Sequence, residues 1–126
     1  MSNSTDAYAR QSATIANGSA VSTAIDVSKL QLLGIAVVVP AAWTAADIGF
    51  EVSSDGTTWI PLQDDTGARI KIAGVTTNAS KAYIAPSGAW AVGAFPYARL
   101  VSLNTSTGAN ANQAAERLLT FVRLSS

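Results

Sequence analysis

The strongest constraint on the fold is an alternation of apolar and polar residues that ends at a glycine-containing turn. From Ile48 to Ser53, large apolar residues alternate with small or polar ones, the pattern of a strand with one face in the core and one in water. The Asp55-Gly56 pair that follows tolerates positive φ and permits a tight reversal. Residues 57–62 are rich in β-branched and aromatic side chains, and a turn at 64–67 leads into residues 68–72. The sequence therefore predicts a meander of three antiparallel strands.

Further runs with strand character lie on both sides of this meander, whereas sustained helical periodicity is hard to find. Residues 32–39 are apolar on both faces, which predicts a central strand, and Pro40 ends its pairing. Residues 118–124 also carry bulky apolar side chains on both faces, so this strand is either central in a sheet or covered by another subunit. The other strand candidates are residues 12–16, 19–27, 82–84 and 97–104. Residues 44–47 and 112–116 are candidates for single helical turns, and neither segment has room for a packed helix.

About eight or nine short strands in 126 residues predict an all-β fold with a single domain. The expected architecture is a two-sheet antiparallel β-sandwich or jelly roll. We expect this β-sandwich domain to span residues 13–126. The Ser-, Thr- and Asn-rich residues 1–12 are predicted to form a flexible N-terminal arm, either a tether that becomes ordered on a partner or an ordinary frayed terminus.

The composition leaves little material for chemistry. The chain has no His and no Cys, which excludes Ser-His and Cys-His nucleophilic pairs, imidazole and thiolate metal ligands, and disulfides. Asp55, Asp64 and Asp65 stand in turns, where Asp ordinarily accepts hydrogen bonds from the backbone amide two residues on. We therefore expect these carboxylates to be structural, and we expect no catalytic residue, no metal site and no cofactor.

Charge and hydropathy restrict the partners. Eight cationic and eight anionic side chains give a formal net charge of zero, so no basic field attracts nucleic acid. No apolar stretch is long enough to cross a bilayer, and no secretory signal is recognisable, which predicts synthesis in the cytoplasm and no membrane partner. A neutral small domain tends to associate, and we therefore expect a subunit of an assembly.

Six side chains are candidates for contact with a partner. Trp43 and Trp90 stand in connections rich in Pro, Ala and Gly, where an aromatic residue either anchors an interface or closes over the core. Trp59 is instead expected to be the main core aromatic. Arg69 and Lys71 share one strand face, which suits an acidic partner, although exposed single charges contribute little binding energy. The six interface candidates are Trp43, Trp90, Phe95, Phe121, Arg69 and Lys71.

Two motifs carry a resemblance to known families. The pattern F-x-V-S-x-D-G-x-x-W at residues 50–59, with an aromatic-x-R-hydrophobic strand at 97–103, resembles the galactose-binding-like (discoidin-type) jelly rolls. Residues 25–124 are also similar to small β-sandwich structural proteins of tailed bacteriophages, whose Q-x-x-x-R-x-L segment is matched by residues 113–119. Sugar binding does not carry over from the first family, because its loop residues have no counterparts here.

The phage resemblance implies a structural protein of the virion. We expect a capsid decoration, or cement, protein that binds the major capsid protein on the surface of the head and stabilises the assembled shell. It would act as a symmetric oligomer, most simply a homotrimer at local threefold positions. The alternative is a carbohydrate-binding or receptor-binding β-sandwich module of a tail or head fibre, with Trp43 or Trp90 in contact with the glycan.

Overall fold

The computed structural model describes residues 8–27, 32–76 and 79–125, and in these ranges it contains nine β-strands and one 3-10 helix. The 3-10 helix spans Ser87–Ala94, between the seventh and eighth strands. The strands are β1 (Tyr8–Ile15), β2 (Ile25–Asp26), β3 (Leu32–Val39), β4 (Ala46–Ser53), β5 (Ile60–Pro61), β6 (Lys71–Val75), β7 (Lys81–Ile84), β8 (Tyr97–Leu103) and β9 (Arg117–Ser125).

The strand pairs are nested within one another, which is the topology of a jelly roll. β4 pairs with β5 and β6, β3 with β7, β2 with β8 and β1 with β9, all antiparallel. Two further pairings, β3 with β9 and β4 with β8, roll this long hairpin into two sheets. The four-stranded sheet has the order β1-β9-β3-β7, and the five-stranded sheet has the order β2-β8-β4-β5 with β6 also beside β4. The predicted all-β sandwich with jelly-roll order is confirmed.

The hydrophobic core lies between the two sheets. Among the described side chains, Phe50 of β4 and Phe121 of β9 are the largest that are fully buried, one from each sheet. The inward residues of β3, which are Ile35, Val37 and Val39, are also buried and alternate with half-buried outward residues, as the period of two requires. Core aromatic residues of this kind stabilise a fold by roughly 3–5 kcal/mol relative to Ala.

The predicted N-terminal arm is too long. Residues 8–12 belong to β1, whose register with β9 runs from Tyr8 opposite Leu124 to Ile15 opposite Arg117. The residues of this edge strand are mostly small or polar, so the strand depends on backbone pairing and leaves a weak pattern in the sequence. Residues 1–7 lie outside the described ranges, and for them the arm stays a prediction.

The two predicted helical turns are wrong. Residues 44 and 45 lie in a loop, residues 46 and 47 begin β4, and residues 112–116 contain a bend at 114 and 115 but no helix. The segment that does coil, Ser87–Ala94, is short and carries apolar residues on all sides, so it lacks the apolar stripe by which a helix is recognised. Within the described ranges, no helix is long and apolar enough to span a bilayer.

The central strand β4 is buried on both faces, whereas its alternation predicts one face in water. All eight of its residues are buried. On the outer face, Gly49 lies beneath side chains of β8, and a Cβ built on it would come within 2.7 Å of Leu103 Cδ1 and 3.1 Å of Val101 Cγ1. The outer side of β4 at Gly49 is therefore covered by side chains of β8.

Candidate functional site

The turn carboxylates organise their own turns, as predicted for Asp55 and Asp64. Asp55 Oδ1 accepts hydrogen bonds from the amides of Thr57 and Thr58 at 2.8 and 2.9 Å. The amide of Thr58, then that of Thr57, lowers the pKa of Asp55. The hydroxyl of Thr66, followed by its amide, likewise lowers the pKa of Asp64. Because the amides of residues 57 and 58 are bonded to Asp55, they do not pair with another strand. The strand predicted at 57–62 is therefore reduced to β5, Ile60–Pro61.

A metal site has no support in the described part of the chain. No group of three or more carboxylate residues lies close enough there to hold a metal ion, and the sequence supplies no His or Cys. Asp65, the third predicted turn carboxylate, is exposed. The carboxylates that do converge with other charged groups are Asp47 and Glu51, on the outer face of the five-stranded sheet.

The Q-x-x-x-R motif forms a buried polar network that joins two loops to β8. The side-chain amide of Gln113 donates to Thr44 O at 3.0 Å and to Ser102 Oγ at 2.9 Å. Its Oε1 accepts from the amide of Thr44 at 2.9 Å and from Arg117 Nε at 3.2 Å. Arg117 also donates through Nη2 to Thr44 Oγ1 at 3.0 Å. Since Gln113 is 1% exposed and Arg117 is buried, these motif residues hold the fold together and present no surface to a ligand.

Two of the aromatic interface candidates belong to the core. Trp43 is 5% exposed and donates its indole N–H to Ala46 O, and Phe121 is fully buried. In the folded subunit neither side chain can serve as an exposed anchor. Of the two alternatives given for each, Trp43 closes over the core, and Phe121 lies in a strand that is central in its sheet. Phe95 is partly buried and packs against the core. The side chain of Trp90 lies outside the described part of the structure.

Arg69 and Lys71 already have acidic partners within the chain. Lys71 Nζ lies 2.7 Å from Asp47 Oδ2, and Arg69 Nη2 lies 3.3 Å from Glu51 Oε2. Burial alone would raise the pKa of Asp47, but the Lys71 ammonium and the Gly74 amide outweigh it and hold the pKa below its ordinary value. The sequence correctly places Arg69 and Lys71 on one face, but Lys71 is committed to an internal ion pair.

The prediction that Trp59 is the main core aromatic is wrong, because Trp59 lies on the outer face of the five-stranded sheet. Trp59 is partly buried, and the guanidinium carbon of Arg99 sits 4.5 Å from the centroid of its ring, a cation–π contact. Arg99 Nε also donates to Glu51 Oε1 at 2.7 Å. Glu51 thus accepts from Arg69 and Arg99 together, and we call Glu51, Arg69, Arg99 and Trp59 the arginine cluster. The arginine cluster becomes recognisable only once the pairing of Glu51 with Arg99 across β4 and β8 is known.

The outer face of the four-stranded sheet has the opposite character. Two cross-strand rows run across it, one through Thr120, Val38 and Ala82 and one through Val122, Ala36 and Ile84. Ile84 is 81% exposed and the neighbouring Leu118 is 58% exposed. We call this surface the apolar face, and it consists of Ala36, Val38, Ala82, Ile84, Leu118, Thr120 and Val122.

The apolar face carries no charged side chain among its seven residues, and its cationic boundary lies at the edge strand. Arg10 of β1, which is exposed, stands opposite Val122. A shallow groove at this edge is lined by Arg10, Gln11, Ser12 and Thr120. An exposed apolar surface on a small protein commonly marks a contact with another macromolecule.

Comparison with known proteins identifies no relative. No protein-family profile, no curated protein and no solved structure matches the chain.

Proposed function

We propose that this chain is a capsid decoration protein of a tailed bacteriophage. In this proposal the jelly-roll subunit binds the major capsid protein on the outside of the assembled head. It makes this contact through the apolar face. The observation that carries the proposal is the exposure of Ile84 and Leu118 on a flat surface without charge, in a chain whose net charge is zero.

The size of the apolar face favours a repeating partner over a free dimer. The three strands that carry it, β3, β7 and β9, have eight, four and nine residues and cover roughly 330 Å², at about 4.8 Å between strands and 3.3 Å per residue. A stable pair of proteins usually buries about 800 Å² on each partner. A single face is therefore too small for tight binding alone, whereas several faces held together on a lattice bind by avidity.

A homotrimer at the local threefold positions of the head fits this requirement most simply. Three copies of the apolar face would present roughly three times the area of one, and their binding would be multivalent. Because the trimer binds the assembled lattice and not the dissociated subunits, mass action stabilises the shell. The same reasoning predicts that the matching surface of the capsid protein is uncharged, since an unpaired charge beneath the face would be desolvated without compensation.

The alternative, a glycan-binding module of a fibre, has less support. It was expected to use Trp43 or Trp90, and the burial of Trp43 removes one of these two contacts. The remaining contact rests on the side chain of Trp90, which lies outside the described part.

The test compares heads of the parent phage that lack the protein with heads to which it is added back. We expect the purified protein to co-sediment with the heads and to raise the temperature at which they release DNA. Burial of an isoleucine side chain contributes about 2 kcal/mol, so Ile84→Lys is expected to weaken binding about 30-fold per subunit.

A matched control is available on the other sheet. Ile60 of β5 is 51% exposed, and Ile60→Lys makes the same chemical change away from the apolar face. We expect this variant to bind heads as the unmodified protein does. Equal losses in the Ile84 and Ile60 variants would overturn the assignment of the face, and an unmodified protein that neither binds nor protects heads would overturn the function.

A further inference from the structure

The arginine cluster holds more positive than negative charge in a half-buried position. Arg69 and Arg99 both bind the single carboxylate of Glu51, at 3.3 and 2.7 Å. Their side chains are only 21% and 22% exposed, and that of Glu51 is 11% exposed. The adjacent pair, Lys71 with Asp47, is balanced and adds no negative charge. One positive charge of the arginine cluster therefore lacks a carboxylate within the described ranges.

A second observation concerns the side of Arg69 that faces β4. Arg69 Nε is buried and has no hydrogen-bond partner in the described part of the chain. It lies against β4, 3.3 Å from the position of a Cβ built on Gly49. A buried donor on a charged group is unfavourable without an acceptor, so among the described residues the charge of Arg69 is compensated only through its contact with Glu51.

The orientation of Arg99 leaves donors for a ligand. Arg99 binds Glu51 through Nε, so its two terminal nitrogens are not used in that contact. The ring of Trp59, whose centroid lies 4.5 Å from the guanidinium carbon, packs against the guanidinium. A guanidinium held in this way is suited to a planar anion with two oxygens, which it binds through two parallel hydrogen bonds.

We propose that the arginine cluster binds a carboxylate group of a ligand, between Arg69 and Arg99 and beside Trp59. A carboxylate matches both features of the site, because its single charge balances the one excess positive charge and its planar shape matches the guanidinium. Sulfate and the phosphate dianion carry two charges and would reverse the imbalance. The site lies on the sheet opposite to the apolar face, so the inference is independent of head binding.

The experiment follows the indole N–H signal of Trp59 and the Nε–H signals of the arginines by NMR during titration at constant ionic strength. The probes are acetate, a free carboxylate, and glucuronate, a carboxylate carried by a sugar, with chloride as the balancing anion. We expect saturable shifts with a Kd on the order of 10 mM. Equal binding of both probes supports recognition of the carboxylate alone, and tighter binding of glucuronate supports a sugar-borne carboxylate in the same site.

Charge-matched variants separate a specific site from the general field of the protein. Arg69→Gln is expected to weaken binding at least tenfold, whereas Arg10→Gln removes one exposed cation from the other sheet and is expected to leave the Kd unchanged. If Arg69→Gln does not fold, Arg69→Lys keeps the charge but loses the paired donors and is expected to weaken binding several-fold.

Four results would overturn the inference. They are the absence of saturable shifts, equal weakening by Arg10→Gln and the Arg69 variants, equal binding of neutral methyl glucoside, and tighter binding of sulfate than of acetate at the same ionic strength.

Discussion

The Gln113 network offers the sharpest test of how polar groups stabilise this fold. We consider Gln113→Leu, which nearly preserves the volume of the side chain but removes all four of its hydrogen bonds. The change leaves the amide and carbonyl of Thr44 and the Nε of Arg117 without partners, while the hydroxyl of Ser102 can turn to another acceptor. Each orphaned group destabilises the fold by about 1–3 kcal/mol, and the lower value applies because Thr44 is close to water.

Three such groups predict a loss of about 3 kcal/mol in the free energy of unfolding. For a domain of this length, that loss lowers the Tm by about 12 °C. The measurement is urea unfolding followed by circular dichroism and intrinsic fluorescence, with calorimetry for the Tm. A loss below about 0.5 kcal/mol, the size of an ordinary surface change, would refute the reasoning.

A double-mutant cycle isolates the contact between Gln113 and Arg117. Arg117→Met removes the buried charge, so the later loss of Gln113 no longer strands the guanidinium. We expect the double variant to be more stable than the sum of the single changes predicts, by about 1 kcal/mol. Strict additivity would show that the two residues stabilise the fold independently.

Three further predictions follow from the fold. Phe121→Ala is expected to lower the free energy of unfolding by about 3–5 kcal/mol, measured by urea unfolding, and a loss under 1 kcal/mol would contradict its place in the core. Asp47→Asn is expected to destabilise the fold by about 1–3 kcal/mol at pH 7, since it leaves Lys71 without its carboxylate. Because the folded state lowers the pKa of Asp47, its stabilising contribution is full above the ordinary value of about 3.9 and is lost as the pH falls through the lowered value. The unmodified protein and the Asp47→Asn variant should therefore have similar free energies of unfolding at low pH. A difference between them that does not change with pH would refute the ion pair. Gly49→Ala is expected to destabilise by about 1–2 kcal/mol, because its Cβ must displace Leu103, and thermal denaturation tests this.

The sequence predicts a strand best where that strand pairs with a neighbour on each side. β3 was predicted with the bounds Leu32–Val39 that it has in the structure, because a central strand needs apolar residues on both faces. The edge strand β1 was half missed, since its small and polar residues pair through the backbone. The alternation in β4 predicts an outer face in water, but all eight of its residues are buried. Local alternation does not show which side chains from other strands cover Glu51.

The candidate sites also differ in how far they can be predicted from neighbouring residues. Turn chemistry is local, so the roles of Asp55 and Asp64 could be read from the residues beside them. The arginine cluster joins β4, β8 and the segment before β6, and nothing local brings Arg69 and Arg99 to the same carboxylate. Trp59 is predicted in the core for this reason: the hairpin that contains it is evident in the sequence, but the sheet face on which it lies is decided by the rolled topology.

The pairing of the first strand with the last determines how this subunit responds to mechanical load. Tyr8 lies opposite Leu124, so the two ends of the described chain leave the subunit at the same end of the four-stranded sheet. Antiparallel hydrogen bonds run perpendicular to the strands, and a force applied between these ends would open them one after another, as in a zip. A load applied across the sheets, in contrast, is shared by many bonds at once. We therefore expect the domain to resist compression and shear far better than tension between its ends, and an attachment that must withstand force should use a sheet face and not the termini.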